Sequence, residues 1–240
     1  MRVTLVQSSP KLNRSNLEEI IQTINEYKDD SDLIVFPELS LNGYLLQDKL
    51  VEDAWDLDEL ESLKELSLEI DIVVGGAIRD NKVFRNSALY FSQGKLLSQH
   101  NKVHLPNYGM FEEARYFSAG NVFEGFETHL GKISMLVCED LWHAGVHHQL
   151  FKENPDYIIA LVASPARGFE DDGLLIEDQW HALLKSVALH CDAKVIFVNR
   201  VGFEDGLGFW GGSCIIGRDA RILHRLPHYE TLTETFNINK

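Results

Sequence analysis

The sequence is poor in cysteine, methionine and proline, with three, three and six among 240 residues. Cys138, Cys191 and Cys214 are too few for a disulfide framework, and none stands in the paired C-x-x-C spacing of a zinc site. That usage fits a reducing, cytoplasmic compartment. Positive charge is also scarce: 22 Lys and Arg against 37 Asp and Glu give a net charge of -15. Such a surface repels phosphate backbones and anionic lipid, so no nucleic-acid or membrane partner is expected. No apolar stretch approaches the roughly 20 residues that span a bilayer. The N-terminus, MRVTLVQSSP, enters a strand-like run at once and lacks the long apolar core of a signal peptide. Repeats, low-complexity tracts and Pro/Gly/Ser linkers are missing too, so residues 1–240 read as a single domain.

What the sequence does hold is a 45% hydrophobic content, enough for a substantial core. Arg2 to Gln7 reads as a strand. Leu17, Ile20, Ile21 and Ile24 give helical spacing over Asn16 to Tyr27. Leu33 to Phe36 is a strand covered on both faces. Trp55 to Glu69 reads as a second amphipathic helix, and Ile72 to Ala77 as the next strand. Val83 to Phe91 and Lys95 to Gln99 form a hairpin about Ser92-Gln93-Gly94. Further strands are expected at Lys132–Val137, Tyr157–Val162 and Lys194–Val198, with a long helix over Glu177–His190. A final hairpin joins Gly211–Ile216 to Arg221–His224. The class is α/β. Hairpins mixed with crossovers fit two stacked sheets flanked by helices better than one doubly wound sheet.

Three segments place a reactive residue at the end of an apolar strand: Phe36-Pro37-Glu38, Asn101-Lys102-Val103 and Val137-Cys138-Glu139-Asp140. Ligands of open α/β folds collect beyond the carboxyl ends of strands. A thiol, an ammonium and a carboxylate meeting there have complementary uses. The ammonium favours a thiolate and steadies an oxyanion, while the carboxylate moves protons. On this reading Cys138 is the activated thiol, low in pKa and open to alkylation.

The segments FPELSLNGY (36–44), KVHLPNYGMFEEARYFSAG (102–120) and LVCEDLW (136–142) resemble the signatures of the nitrilase, or carbon–nitrogen hydrolase, superfamily in order and separation. Asn199, Gly202 and the WGGS run at 210–213 extend the likeness across nearly the whole chain. The resemblance implies a four-layer α-β-β-α sandwich, commonly assembled as a homodimer or larger homo-oligomer. It also implies catalytic roles: Glu38 as general base, Lys102 stabilising the tetrahedral intermediate, and Cys138 as the nucleophile of a thioester acyl-enzyme. A second glutamate follows the lysine. Glu113, seven residues before Gly120, is the choice and adjacent Glu112 the rival. The implied reaction is hydrolysis of a non-peptide carbon–nitrogen bond in a small amide, releasing ammonia or an amine; nitriles and N-carbamoyl compounds are alternatives.

Within the superfamily, the 105–117 and 138–142 segments are most similar to the glutamine-amidase domain of NAD synthetases. No Gly-rich phosphate loop followed by Lys-Ser/Thr is present, so a free-standing amidase is expected, with a glutaminase feeding a separate synthetase as the alternative. After Ser164-Pro165 the chain reads Ala-Arg-Gly-Phe, which departs from the glutaminase pattern. Tyr108, Glu139, Trp142, Ser164 and Arg167 are candidate substrate-binding residues, with Arg167 a clamp for a carboxylate should the substrate be anionic. His143 and His147 are four apart, with His148 beside them and Glu139 and Asp140 upstream. No second anchoring segment accompanies them, so no metal and no cofactor is expected, and a His-based metallohydrolase is the less favoured reading. Cys191 and Cys214 read as small buried residues.

Overall fold

The central strands are apolar on both faces, so each sheet must be covered twice, and that requirement sets the layers. The computed structural model describes residues 1–171 and 173–238; residues 239 and 240 of the expected 1–240 domain lie outside it. The order is β1 (Arg2–Gln7), α1 (Asn16–Tyr27), β2 (Leu33–Val35), α2 (Leu50–Asp53), α3 (Glu61–Leu66), β3 (Asp71–Asp80), β4 (Val83–Ser92), β5 (Lys95–Asn101) and α4 (Glu113–Tyr116). Then come β6 (Gly125–Thr128), β7 (Gly131–Val137), α5 (Ala144–Glu153), β8 (Tyr157–Val162), β9 (Phe169–Glu170), β10 (Gly173–Leu174), α6 (Leu175–Cys191) and β11 (Lys194–Asn199). The chain closes with β12 (Val201–Glu204), β13 (Leu207–Trp210), β14 (Cys214–Ile216), β15 (Ile222–Arg225) and β16 (Leu232–Asn237).

One six-stranded sheet runs β16-β1-β2-β3-β4-β5 and the other β15-β14-β11-β8-β7-β6. In each, three parallel strands sit between antiparallel neighbours. Side-chain alternation sorts the core into layers. Val3, Leu5, Val35 and Val73 meet Met135, Val137, Ile159 and Val198 between the sheets. Val6, Ile34, Ile72 and Val74 face the other way, onto Ile20 and Ile24 of α1 and Leu63 of α3. Leu136, Ile158, Val195 and Phe197 face Val146 and Leu150 of α5 and Trp180, Leu184 and Val187 of α6. The result is the expected α-β-β-α sandwich. No helix among the described residues is long and apolar enough to cross a membrane.

Two expected elements differ. Trp55 does not begin a helix: its N–H bonds to Ala77 and its carbonyl accepts from Arg79, making an isolated bridge to β3. Helical turns start only after Asp56, whose N–H is capped by the Glu59 carboxylate at 2.9 Å. Gly211 and Gly212 do not extend β14, because both take positive φ (73° and 63°) that a strand cannot use. The sequence reading also lacks β16, which pairs with β1 in antiparallel register from Arg2↔Asn237 to Gln7↔Leu232.

Candidate active site

The residue Glu38 lies beyond β2 in a segment that lies along β3. Ser40 Oγ exchanges hydrogen bonds with Gly75 at 3.1 Å, and Asn42 Oδ1 accepts the Ala77 N–H at 2.8 Å. A Cβ on Gly75 would come within 2.8 Å of Glu38 Cα and closer still to Pro37 O and Leu39 N. Glycine there lets the glutamate's backbone lie directly on the sheet. Gly120 does the same behind the lysine. Its N–H donates to Lys102 O at 2.8 Å, and a Cβ would collide with Asn101 O at 2.2 Å.

These supports converge on one charged cluster. The Lys102 ammonium donates to Glu38 Oε1 and to Glu113 Oε1, each at 2.8 Å, with all three residues buried. Asn86 Nδ2 donates to Glu38 Oε1 at 2.8 Å. The Ala163 N–H, beyond β8, donates to Glu38 Oε2 at 2.8 Å. Tyr44 OH donates to Glu113 Oε1 at 2.6 Å, while Glu113 Oε2 is buried without a partner. Glu112 is exposed and lies 3.7 Å from Arg115, so Glu113 is the glutamate that reaches the lysine.

Burial would drive the Lys102 charge off, but Glu113, Glu38 and Cys138 around it hold its pKa well above the usual lysine value. Burial raises Glu113 to about 7, against the pull of Lys102. Because the folded carboxyl holds its proton more tightly than a free one, ionising it costs stability as pH climbs from about 4.5 toward 7. The thiol corrects the sequence expectation. Burial and the adjacent Glu38 carboxylate push the Cys138 pKa up, and one ammonium shared between two carboxyls does not reverse this. That direction favours a protonated Cys138 thiol over a preformed thiolate. Burial also raises Cys191 to about 11 and Cys214 to about 12, so reactivity toward alkylating agents is separated by access: Cys138 is partly exposed, the others buried.

Cys138 has φ of +45°, a left-handed backbone rare outside glycine, and opens a tight turn through Trp142. The turn is pinned by Asp140, which is fully buried. Its Oδ2 accepts from Val137 N at 3.2 Å and lies 2.8 Å from His100 Nε2; its Oδ1 accepts from Val103 N and His104 N at 3.0 and 2.9 Å. Burial alone would raise this carboxyl, but His100 and the backbone donors hold it below the usual range. One side chain thus ties the Cys138 turn to the loop after Lys102. The sequence reading placed Asp140 only at a strand end and upstream of His143; its partners His100, Val103 and His104 lie 36 to 40 residues away.

Glu204 was missed altogether. It is buried against Arg200 at 2.8 Å and accepts the Tyr44 and Leu45 N–H groups, fixing the loop from which Tyr44 reaches Glu113. Asn199 and Ser213 are structural ties: Asn199 Oδ1 accepts Ser164 N at 2.9 Å, its Nδ2 donates to Gly211 O at 3.0 Å, and Ser213 Oγ joins Asn199 O at 3.1 Å.

The substrate-binding candidates divide. Tyr108, Trp142 and Arg167 line one cleft of about 290 Å³ with Leu175, Ile176 and Gln179. Tyr108 OH donates to Glu139 Oε2 at 2.9 Å, so Glu139 sits behind that wall. Ser164 is buried, and its hydroxyl accepts the Trp180 indole N–H at 2.9 Å, which ties it to α6. No group of three His, Cys, Asp or Glu suited to a metal is found among the described residues. His143 precedes α5 and stacks on His104 at 3.5 Å, His147 Nε2 lies 2.8 Å from Leu141 O, and His148 is exposed.

Residues 2–239 match the family model described as carbon-nitrogen hydrolase, and the chain belongs to that family of carbon–nitrogen hydrolases. It is 32% identical to the glutamine-dependent NAD(+) synthetase of Acinetobacter baylyi over 95% of its own length and 42% of the relative's. A protein of Schizosaccharomyces pombe named "Probable nitrilase" is 26% identical over 93% of this chain and 83% of its own. The structure of glutamine-dependent NAD+ synthetase from Acinetobacter baumannii superposes with a TM-score of 0.83 at 30% identity, over 98% of this chain and 44% of that one. A mutant amidase of the nitrilase superfamily from Nesterenkonia shares the fold at 21% identity, with a TM-score of 0.82 over 99% of this chain and 90% of its own. The chain thus spans less than half the length of the synthetases it resembles.

Proposed function

We propose that the protein hydrolyses a small amide through a covalent Cys138 thioester. The observation that carries this reading is the Lys102 ammonium held 2.8 Å from both Glu38 and Glu113 beside a cysteine of left-handed backbone. Glu38 takes the thiol proton as the sulfur attacks the carbonyl carbon, and Lys102 stabilises the resulting oxyanion. The carbon–nitrogen bond then breaks, Glu38 returns the proton to the nitrogen, and ammonia leaves. Water attacks the thioester, its proton passes to a carboxylate, and the acid and free thiol are released. Glu113, raised to about 7, is suited to hold Lys102 in place and to share this proton traffic near neutral pH. A second reading, ammonia supply to a separate synthetase, is favoured by the 32% identity to an NAD synthetase over 95% of this chain.

The test is intact-protein mass spectrometry of Glu113→Gln mixed with short amides. The expected result is an added acyl mass that maps to Cys138 and is absent from Cys138→Ala. Turnover of amides by Cys138→Ala at the wild-type rate would sink the reading.

A further inference from the structure

Two of the ten histidines meet face to face beside the charged cluster. The rings of His104 and His143 are stacked, with centroids 3.5 Å apart and planes 9° from parallel. His104 stands two residues past Lys102, and His143 follows directly on the turn Cys138–Trp142. The contact therefore joins the segment that carries the ammonium to the segment that carries the sulfur. Phe123 backs the pair, its ring 6.1 Å from His104 and 5.3 Å from His100. Asp140 makes a second link, its Oδ1 accepting the Val103 and His104 N–H groups. Its carboxyl is held below the usual range, so that link persists in mild acid. The ring contact has no such protection.

Imidazole is the side chain whose charge ordinarily changes between pH 5 and 8. Two neutral rings, or one charged ring over a neutral one, carry no like-charge penalty, whereas two imidazolium ions at this separation repel. The surroundings match one charge and not two. Glu139 Oε1 lies 3.9 Å from His143 Nε2, and among the described residues no other carboxylate approaches either ring at ion-pair distance. Its other oxygen accepts the Tyr108 hydroxyl. On the turn, Asp140 is the acid that acts on His104, but its oxygens are taken by His100 Nε2 and three backbone N–H groups. On β5, His100 is committed to Asp140; on α5, His147 Nε2 lies against Leu141 O. The Lys102 ammonium is turned to Glu38 and Glu113. His143, exposed and beside Glu139, is thus the ring that carries a charge at least cost. Burial and the His143 ring hold the His104 pKa below the usual histidine value.

We infer that the His104–His143 stack is a proton-sensitive clasp between the Lys102 loop and the Cys138 turn, closed while at most one ring is charged and parted when both are. The folded protein favours neutral His104, so the clasp's contribution to stability is full above the ordinary histidine value of 6.5 and is lost as pH falls from there toward the folded value. Once the rings part, the register between the two segments rests on Asp140. Both histidines are positioning residues, and the clasp works whichever bond the site cleaves.

The test follows the His104 ring protons by NMR from pH 8 to 4.5 in wild type, His143→Phe and His143→Asn. The first variant keeps a ring in the stack and the second removes it; both remove the second charge at an exposed position. Each is expected to raise the His104 midpoint by about half a pH unit or more. An unchanged midpoint overturns the inference. Hydrogen exchange of residues 102–108 and 138–146, corrected for the intrinsic effect of pH, reads the parting itself. From pH 7.5 to 5 exchange in both segments should accelerate about threefold or more in wild type and in neither variant. Equal acceleration in all three proteins, or none in wild type, overturns the clasp. Should His143→Phe fail to fold, His143→Asn carries both readouts.

Discussion

Lys102 and Arg167 are two cations in contrasting surroundings. Lys102 is fully buried, with two carboxylates at 2.8 Å, and those carboxylates are held in turn by Asn86, Ala163 and Tyr44. Arg167 rides on a loop beyond β8, partly exposed, steadied by an aromatic face and unmatched by any described carboxylate. The Lys102 cluster is over-determined, as the proposed proton transfer and oxyanion stabilisation would require of groups that must not reorganise during reaction. The Arg167 loop is held by fewer partners, as exposed loops commonly are.

The comparison predicts effects that diminish from the Lys102 cluster to the exposed wall. Lys102→Met should do most. It leaves two carboxyl groups buried with no ammonium, costing ~3 kcal/mol of stability and lowering kcat by roughly a thousandfold through lost oxyanion stabilisation. Thermal unfolding and steady-state kinetics together check this; a normal kcat would place the lysine outside the chemistry. Asp140→Asn should rank second. It keeps the size of the side chain but weakens its acceptance from Val103, His104 and Val137 and its pairing with His100, so ~2 kcal/mol of stability should be lost. Turnover should fall about tenfold or more as the nucleophile turn and the lysine loop drift apart. A variant that loses stability but keeps kcat would reduce Asp140 to a purely structural tie. Tyr108→Phe, at the exposed wall, should change stability by under about 0.5 kcal/mol and affect KM more than kcat; a large fall in kcat would move that wall into the chemistry.

The same contrast explains what could be read from the sequence. Glu38, Lys102 and Cys138 each follow a strand whose apolar run is visible, and the surrounding motifs have local causes: Ser40 and Asn42 bond to β3, and Gly75 and Gly120 permit close backbone approach. The choice of Glu113 over Glu112 follows from one residue of register in a short helical turn, a matter for three dimensions. Glu204 carries no sequence signal, because its partners, the Tyr44 and Leu45 amides, lie about 160 residues away. The pairing of β16 with β1 joins the chain's two ends and is likewise non-local. Ser164 was read as a candidate for substrate binding, and its partner Trp180 could not be read from the sequence. The charge state of the thiol could not be read at all, since it depends on the balance of two carboxyls against one ammonium in a buried volume.

In the proposed mechanism that balance is central: the sulfur stays protonated until substrate arrives and Glu38 accepts its proton. The direct measurement is the rate of Cys138 alkylation by iodoacetamide from pH 5 to 10, read by intact mass with Cys138→Ala as the blank. Because the folded thiol pKa is raised, the rate should climb about tenfold per pH unit through pH 9 without levelling. A plateau reached below pH 7 would mean a resting thiolate, and would contradict the account.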